Sequence, residues 1–267
     1  MLPVSVTVIT RNESANIEAA LRSVSWADEI IVVDAESTDD TAAIARRFTS
    51  RVIVREWPGY VAQKNLAADQ ACHDWIFSLD ADERVSPALA DEIRAVLRVE
   101  PGEAGFRVPR ASFYLGRWIR STDWYPDFQL RLYDRRRARW EGRHVHESGK
   151  ADGAVRTLRG ELLHYPYPDI AHHARTIDRY TTLVAEQAAE RGRRASIADL
   201  VVRPPLAFLR NYVLRLGIKD GQAGLVVSLL NSYYVFLKVA KLWERQHCSS
   251  STSTPLKPGE ADSSRRC

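Results

Sequence analysis

Short apolar runs and helical segments alternate along the N-terminal part of the chain, and this alternation limits the possible folds more than any other feature. Strands are predicted at residues 4–10, 29–34, 51–56 and 75–79. Helices are predicted between and after them, at residues 16–23, 37–48, 60–71 and 87–98. Because strand and helix alternate, we expect an α/β fold with a mostly parallel sheet and helices on both faces.

The rest of the chain follows a different pattern. Residues 105–167 are rich in Trp, Tyr, Arg and His and predict short strands and loops. A helix is predicted over 169–190, a break at Pro204-Pro205, and two further helices within 207–245. We therefore expect one α/β domain over 1–167, a helical region over 168–247 and a disordered polar tail over 248–267.

Charge and cysteine content exclude some classes of protein. The net charge of +4 suits an anionic ligand or an anionic membrane surface, and by itself does not indicate nucleic acid. Cys72, Cys248 and Cys267 form no CxxC pair, so we expect neither a disulfide framework nor a zinc knuckle. The N-terminus predicts a first strand rather than a signal peptide, and a reducing cytoplasm is the simplest compartment.

Acidic residues follow the predicted fourth strand. Asp80 and Asp82 are two positions apart, so an extended backbone would point both carboxylates to one side. Such a pair is stable when a hard divalent cation lies between its members. The triplet alone is more typical of a solvated acidic turn. Its position after a buried strand, where ligands of α/β sheets bind, favours a metal site.

Other polar residues follow the predicted strands or lie in the next helices. Asp34 ends the second strand and could accept hydrogen bonds from a nucleoside, while Ser37 caps the next helix and leaves Asp34 free. Glu13 could reach the same nucleotide or be an ordinary charge at a helix start. Lys64 could face phosphates or the nucleoside, and a solvated lysine is an equal alternative.

The blocks 6–13, 31–34 with 37–41, and 79–83 resemble, in order and spacing, the inverting glycosyltransferases of family 2, which have the GT-A fold. The blocks 60–65, 125–133, 145–147 and 163–165 are more narrowly similar to the bacterial lipopolysaccharide core glucosyltransferases. The resemblance covers roughly residues 4–245. It implies a nucleotide-sugar half over 1–110, an acceptor half over 111–167 and a C-terminal helical extension.

The resemblance also implies roles for individual residues. The donor would be a nucleotide-sugar of the UDP type, and the acceptor a glycan or lipid-linked saccharide such as lipopolysaccharide core. Asp82 would bind Mg²⁺ or Mn²⁺ directly, and Asp80 would lie near the ribose or the metal. A late histidine can complete the metal shell in related folds, which makes His164 a candidate ligand, with a hydrogen-bonded core histidine as the alternative. The positions assigned to nucleotide-sugar binding are Thr10, Asn12, Glu13, Asp34, Lys64, Asp80 and Arg131.

Inversion by direct displacement needs a general base for the acceptor hydroxyl. The chain lacks the Glu-Asp pair that often supplies this base in family 2. We favour Glu147, among two histidines and an arginine, with an exposed loop glutamate as the alternative. Asp127 is the second candidate, unless it pairs with Arg131 four residues on. Arg131 alternates with leucines and could itself point at a donor phosphate.

Aromatic and histidine side chains of the acceptor half leave several interpretations open. His144 and His146 stand two apart, but without a third ligand at suitable spacing we do not expect zinc. Four aromatic residues could stack on sugars, although core packing is the more usual role: Trp118, Trp124, Tyr125 and Trp140.

Residues 221–237 carry no charge, but the run is shorter than the ~20 residues that span a bilayer. Basic and aromatic residues flank it, which favours an amphipathic helix pair on the inner face of the cytoplasmic membrane. A buried helix and a true transmembrane span are the alternatives.

Two other functions remain open at this point. A sugar nucleotidyltransferase would also use an α/β fold with acidic metal sites, but residues 11–13 lack the glycine-rich loop such enzymes usually carry. A non-catalytic sugar-nucleotide-binding protein would bind the donor without transferring its sugar.

Overall fold

A computed structural model describes residues 1–142 and 148–248 of the chain. The strands of the described part, in chain order, are β1 (Val4–Thr10), β2 (Glu29–Asp34), β3 (Val52–Val54), β4 (Trp75–Asp80), β5 (Glu83–Val85), β6 (Gly105–Tyr114), β7 (Arg117–Ile119), β8 (Asp127–Asp134), β9 (Ala138–Glu141), β10 (Ser148–Ala151), β11 (Val155–Thr157) and β12 (Leu162–His164). The α-helices are α1 (Ile17–Ser23), α2 (Thr41–Ala45), α3 (Tyr60–Asp69), α4 (Pro87–Val96), α5 (Ile170–Glu190), α6 (Ile197–Leu209) and α7 (Gly221–Cys248).

One large sheet organises the molecule, in the order β3-β2-β1-β4-β8-β6-β12-β5, with β7 and β11 also paired to β6. Strands β3, β2, β1 and β4 are parallel, as the alternating pattern predicts. Strand β8 runs antiparallel to both β4 and β6, so the second half of the sheet is mixed. Strands β9 and β10 form a separate antiparallel pair.

Helices cover both faces of the sheet, and the side chains of β2 show how. Val32 points into a core shared with α1, α2 and α4. Ile31 and Val33, its neighbours along the strand, point into the opposite core with α3. This alternation of fully buried residues is what a strand covered on both faces requires.

Helix α2 begins four residues later than the pattern over 37–48 predicts. The side chains expected to cap it bond elsewhere. The hydroxyl of Ser37 accepts the backbone N–H of Asn12, and Asp39 accepts the N–H groups of Ser14 and Thr41. Residues 37–40 therefore tie this loop to the segment after β1 rather than extending the helix.

The predicted break at Pro204-Pro205 is wrong, because both prolines lie inside α6. The Ser196 and Asp199 capping box begins this helix, and Pro204 is buried on the side that packs against α7. The hydroxyl of Ser232 on α7 donates to the carbonyl oxygen of Pro204 at 2.8 Å. Tertiary packing thus holds a helix that local propensity disfavours. The change of geometry comes later, in a π turn over Arg210–Leu214.

The C-terminal helices are docked on the sheet. Tyr114 and Ile119 pack against Ala223 and Val227 of α7. A 3-10 turn over Gly217–Asp220 precedes α7, and the buried Asp220 carboxylate accepts hydrogen bonds from the Arg120 N–H and the Ser121 hydroxyl. The predicted tail beyond Cys248 lies outside the described residues.

Candidate active site

Polar residues at the carboxyl ends of β1, β2 and β4 meet at one edge of the sheet. Thr10 stands opposite Asp34, and Ile9 stands opposite Asp80 in the strand register. The Thr10 hydroxyl is buried and has no hydrogen-bond partner among the described residues. Asp34 is also buried, and Ser37 donates to both of its oxygens. The expectation that Asp34 stays free is therefore wrong, although each oxygen keeps a second lone pair.

The loop after β1 places Asn12 and Glu13 beside this edge. Asn12 has a φ of 54°, and its Oδ1 accepts the Thr38 N–H at 2.8 Å. The Nδ2 of Asn16 donates to the Glu13 carboxylate at 2.8 Å. Burial raises the pKa of Glu13 above its usual value, against the opposing Asn16 hydrogen bond, and the negative charge of Asp82 adds to the increase. Glu13 is thus within electrostatic reach of Asp82.

The Asp80 carboxylate forms ion pairs with two basic side chains. Lys64 Nζ lies 3.0 Å from its Oδ1, and Arg131 Nη2 donates to its Oδ2 at 2.8 Å. Burial would raise the pKa of Asp80, but these two positive charges hold it well below the usual range. Lys64 Nζ also lies 4.1 Å from the ring centroid of Trp140. The alternative of a solvated Lys64 is wrong, and Asp80 is less available as a metal ligand than expected.

Arg131 is 2% exposed, which makes it a buried partner of carboxylates rather than an open phosphate site. Its Nη2 also donates to Glu83, a fully buried residue that receives a second ion pair from Arg110 at 3.2 Å. Sequence reasoning assigned no role to Glu83 or Arg110. In the sequence, only the position of Glu83 directly after Asp82 pointed to the site. Arg110 gave no such indication, because it lies on a strand distant in sequence.

Asp127 pairs with Arg110, and the alternative pairing with Arg131 is wrong. Arg110 and Asp127 face each other across β6 and β8, and Nη2 donates to Oδ2 at 2.6 Å. Four residues along a strand span ~13 Å, too far for the ion pair that a helix would allow. Gln129 donates to the other Asp127 oxygen at 2.6 Å. Glu147, the favoured base, lies outside the described residues, as do His144 and His146.

Asp82 lies in the turn between β4 and β5, beside His164 at the end of β12. His164 Nε2 is 3.2 Å from Asp82 Oδ2, and Nδ1 is 3.0 Å from the Ser112 hydroxyl. The structure therefore brings together two of the three predicted metal ligands. Residues 1–142 and 148–248 contain no group of three or more His, Cys, Asp or Glu side chains placed to hold a metal. A cation here would need ligands from the substrate or from water.

A cavity of about 470 Å³ lies between the mixed half of the sheet and helices α5 and α7. The sheet side supplies the Arg110–Asp127 pair and His164, so the cavity reaches the Asp82–His164 pair. Its walls combine aromatic rings with hydroxyl and amide groups, from Trp124, Tyr167, Thr176, Tyr180, Asn231 and Tyr234. The Nδ2 of Asn231 is buried and has no partner among the described residues.

A parallel half-sheet with acidic strand ends, followed by a mixed half that carries the cavity, is the architecture of the GT-A fold. The model of the Glycosyl transferase family 2 matches residues 5–151, more than half of the chain. The chain belongs to this family, and the resemblance predicted from the sequence blocks is confirmed.

Relatives carry the same assignment over nearly the whole chain. The lipopolysaccharide core biosynthesis glycosyltransferase LpsC of Rhizobium meliloti (strain 1021) is 32% identical over 252 residues, which cover 91% of this chain and 93% of LpsC. The uncharacterized glycosyltransferase RP128 of Rickettsia prowazekii (strain Madrid E) is 31% identical, over 91% of this chain and 87% of its own.

Among solved structures, the mannosyltransferase PcManGT from Pyrobaculum calidifontis, in complex with GDP-Man and Mn²⁺, matches with a TM-score of 0.52. It is 18% identical, and the match covers 91% of this chain and 87% of PcManGT. At this identity the likeness shows the fold alone, and it confirms the predicted GT-A architecture.

Proposed function

We propose that this glycosyltransferase moves a hexose from a UDP-sugar to a saccharide of the bacterial envelope, such as lipopolysaccharide core, with inversion at the anomeric carbon. The observation that carries the proposal is the Asp82–His164 pair, which joins the acidic strand ends to the cavity. The family membership and the similarity to LpsC support the same reaction class.

The Asp82–His164 pair fits Mg²⁺ or Mn²⁺. The Asp82 carboxylate is the ligand type that these ions prefer, and they usually take one or two protein carboxylates and complete their shell with substrate phosphates and water. The imidazole of His164 would be an additional, less usual ligand. Bound there, the cation would neutralise the charge of the departing diphosphate. Thr10, Asn12, Glu13 and Asp34 border the same edge and would hold the nucleoside.

On the acceptor side, the cavity would receive the saccharide. Tyr167 and Trp124 offer ring faces, and Thr176, Tyr180 and Asn231 offer hydrogen bonds, which together suit a sugar. The acceptor hydroxyl would give its proton to Glu147 or, as second choice, to Asp127. Asp127 lines the cavity, and the Arg110 guanidinium positions its carboxylate there through a 2.6 Å hydrogen bond.

A lipid-linked acceptor places the enzyme at the inner face of the cytoplasmic membrane, in peripheral contact with it. The region from Gly217 to Cys248 is long and apolar enough to cross a membrane, by length and composition. Only 28% of the most apolar window of this region is buried within the protein.

The test is turnover of UDP-hexoses in the presence of Mn²⁺ and after chelation. We expect chelation to abolish transfer and Asp82→Asn to lower it at least ~100-fold. Asp69→Asn, which alters an exposed carboxylate paired with Arg139, is the matched control and should keep full activity. Full activity of Asp82→Asn would contradict the metal assignment.

The base is tested separately. We expect Glu147→Gln to lower kcat at least ~100-fold with little change in donor KM, because removing a general base costs this much. Unimpaired transfer by that variant together with a large loss in Asp127→Asn would reverse the order of the two candidates. Release of pyrophosphate from a nucleoside triphosphate, or donor binding without any transfer, would support the nucleotidyltransferase or the binding protein instead.

A further inference from the structure

Helix α6 and the turns after it carry a run of exposed, large apolar side chains. Nine of them, each between 46% and 77% exposed, lie within residues 197–218, and we call this surface the α6 face. Its members are Ile197, Val201, Val202, Leu206, Leu209, Val213, Leu214, Leu216 and Ile218. Spacings of three to five residues along α6 make a continuous apolar stripe, and so large an exposed patch indicates an interaction site.

A second exposed stripe runs along α7, which packs against α6. Leu225, Leu229, Tyr233 and Phe236 follow one another at spacings of three or four residues and are 37% to 52% exposed. Tyr and Phe at such positions are typical of helices that lie at a membrane surface.

The charges around the α6 face have one dominant sign. Six exposed basic residues lie between positions 193 and 219, namely Arg193, Arg194, Arg203, Arg210, Arg215 and Lys219. Few acids offset them. Asp199 and Asp220 lie in or directly beside this stretch, and Asp123 lies 3.8 Å from Arg210. Asp199 is engaged by Ser196 and Arg203, and Asp220 is buried under Arg120 and Ser121. A basic rim around an apolar stripe complements an anionic lipid surface, and a neutral partner would not need it.

We propose that the α6 face binds a membrane surface of anionic phospholipid, with α6 and the π turn lying along the headgroups. In the helix pair that the sequence favours for this contact, the uncharged run of α7 is partly occupied within the protein. Its Val227 packs on Tyr114, and Lys241, near its end, bonds Asp178 and Thr182. The proposal rests on the proposed function in one respect, because a lipid-linked acceptor is the reason for the enzyme to bind a membrane.

The experiment is co-sedimentation of the full chain with vesicles of phosphatidylcholine alone and with vesicles that also contain phosphatidylglycerol. We expect binding to the anionic vesicles, weakened by salt. Val201→Gln combined with Leu206→Gln should lower the partition coefficient at least ~10-fold, because the removed apolar groups no longer leave water. Arg210→Gln combined with Arg215→Gln should lower it roughly fivefold for each charge.

Val99→Gln combined with Val155→Gln is the matched control, since both residues are exposed and outside the α6 face. This control should bind as the wild type does, and unchanged circular dichroism and thermal midpoint must accompany each variant. Equal binding to neutral and anionic vesicles, or unchanged binding by the Val201/Leu206 variant, overturns the proposal. Resistance of the membrane-bound protein to alkaline extraction would also overturn it, because it would indicate that α7 spans the bilayer. A wild-type dimer that becomes a monomer in the Val201/Leu206 variant would overturn it too, because the α6 face would then be a dimer interface.

Failure here can be separated from failure of the glycosyltransferase assignment. Asp82→Asn should bind vesicles like the wild type while losing transfer. Vesicle binding without sugar transfer by the wild type would contradict the proposed function alone. Transfer to a detergent-dispersed acceptor without vesicle binding would contradict the membrane-binding proposal for the α6 face and leave the proposed function intact.

Discussion

At the scale of single residues, the most informative feature is a chain of alternating charges under the strand ends. Three cations and three carboxylates contact one another in succession, in the order Lys64, Asp80, Arg131, Glu83, Arg110 and Asp127. The formal charge of the six is zero. Because an unpaired buried charge is costly, each member depends on its neighbours in the series.

Glu83 is the member whose loss should cost most. We expect Glu83→Gln to lower the free energy of unfolding by about 3 kcal/mol, because two arginines lose a shared buried counterion. Urea denaturation measures this change. Glu186→Gln, which removes one partner of a half-exposed pair with Arg245, should cost less than about 1 kcal/mol. Equal losses in both variants would refute the interpretation.

His173 should contribute a pH dependence to stability. Burial, with a smaller contribution from His172, lowers the pKa of His173 from 6.5 to about 4, and the ring stacks on Tyr167. Between pH 6.5 and 4, His173 therefore binds a proton in the unfolded chain but not in the folded protein. His173 therefore does not lower the free energy of unfolding above pH 6.5. As the pH falls from 6.5 toward 4, the free energy of unfolding decreases by up to about 1.4 kcal/mol per pH unit.

Denaturation at several pH values in this window tests the expectation. His173→Gln should flatten the dependence between pH 6.5 and 4, whereas His172→Gln, a change at an exposed position, should leave most of it. A slope that is the same in wild type and His173→Gln would assign the effect to other groups.

Some contacts of the site could be predicted from the sequence, and others could not. The placement of Asp34 and Asp80 at the same edge of the sheet follows from the α/β alternation, because both residues end parallel strands. The contacts of Asp82 with His164, 82 positions away, and of Asp127 with Arg110 depend on which strands are neighbours in the mixed half. Local pattern carries no information on that order, so the ion-pair partners were missed.

At the scale of helices and strands, the close approach of α7 to the turn before it is the tightest constraint. A Cβ on Gly224 would overlap the carbonyl oxygen of Gly217 and approach Asp220 Cβ to 3.0 Å. We expect Gly224→Ala to lower the thermal midpoint by several degrees, because backbone must move to admit the methyl group. Gly192→Ala, at a position with no atom within 4 Å, is a useful comparison, although its φ of 67° adds some strain. A Gly224→Ala protein as stable as the wild type would show that α7 can shift without cost.

Helix boundaries show where local rules fail. The pattern placed β1 and β2 correctly, since largely buried strands rich in β-branched residues have a strong signal. It made α2 too long because Ser37 and Asp39 bond the loop after β1. It predicted a break at Pro204 because helix propensity does not include the packing of α6 on α7. Both errors come from contacts distant in sequence.

At the scale of the whole molecule, sheet and C-terminal helices share one cavity, so the helical region is a wall of the site. We expect Asn231→Leu to raise the acceptor KM about tenfold and to leave the donor KM unchanged, because a buried amide donor without a partner in residues 1–142 and 148–248 is available to a ligand. Steady-state kinetics with each substrate varied in turn measures this. Gln222→Leu, on an exposed position of the same helix, should change neither constant. A change in donor KM alone would place the acceptor elsewhere.

Helix α7 presents Leu230, Asn231 and Tyr234 to the cavity, while Leu229 and Tyr233 beside them are exposed. Helix α7 also packs against α6, which carries the proposed lipid contact, so the proposed sugar pocket lies one helix away from that contact. A glycolipid could therefore react without leaving its leaflet. The search for acceptor would then be two-dimensional, and turnover would follow the mole fraction of acceptor in the bilayer. Diluting the acceptor with inert phospholipid at constant bulk concentration should slow the enzyme.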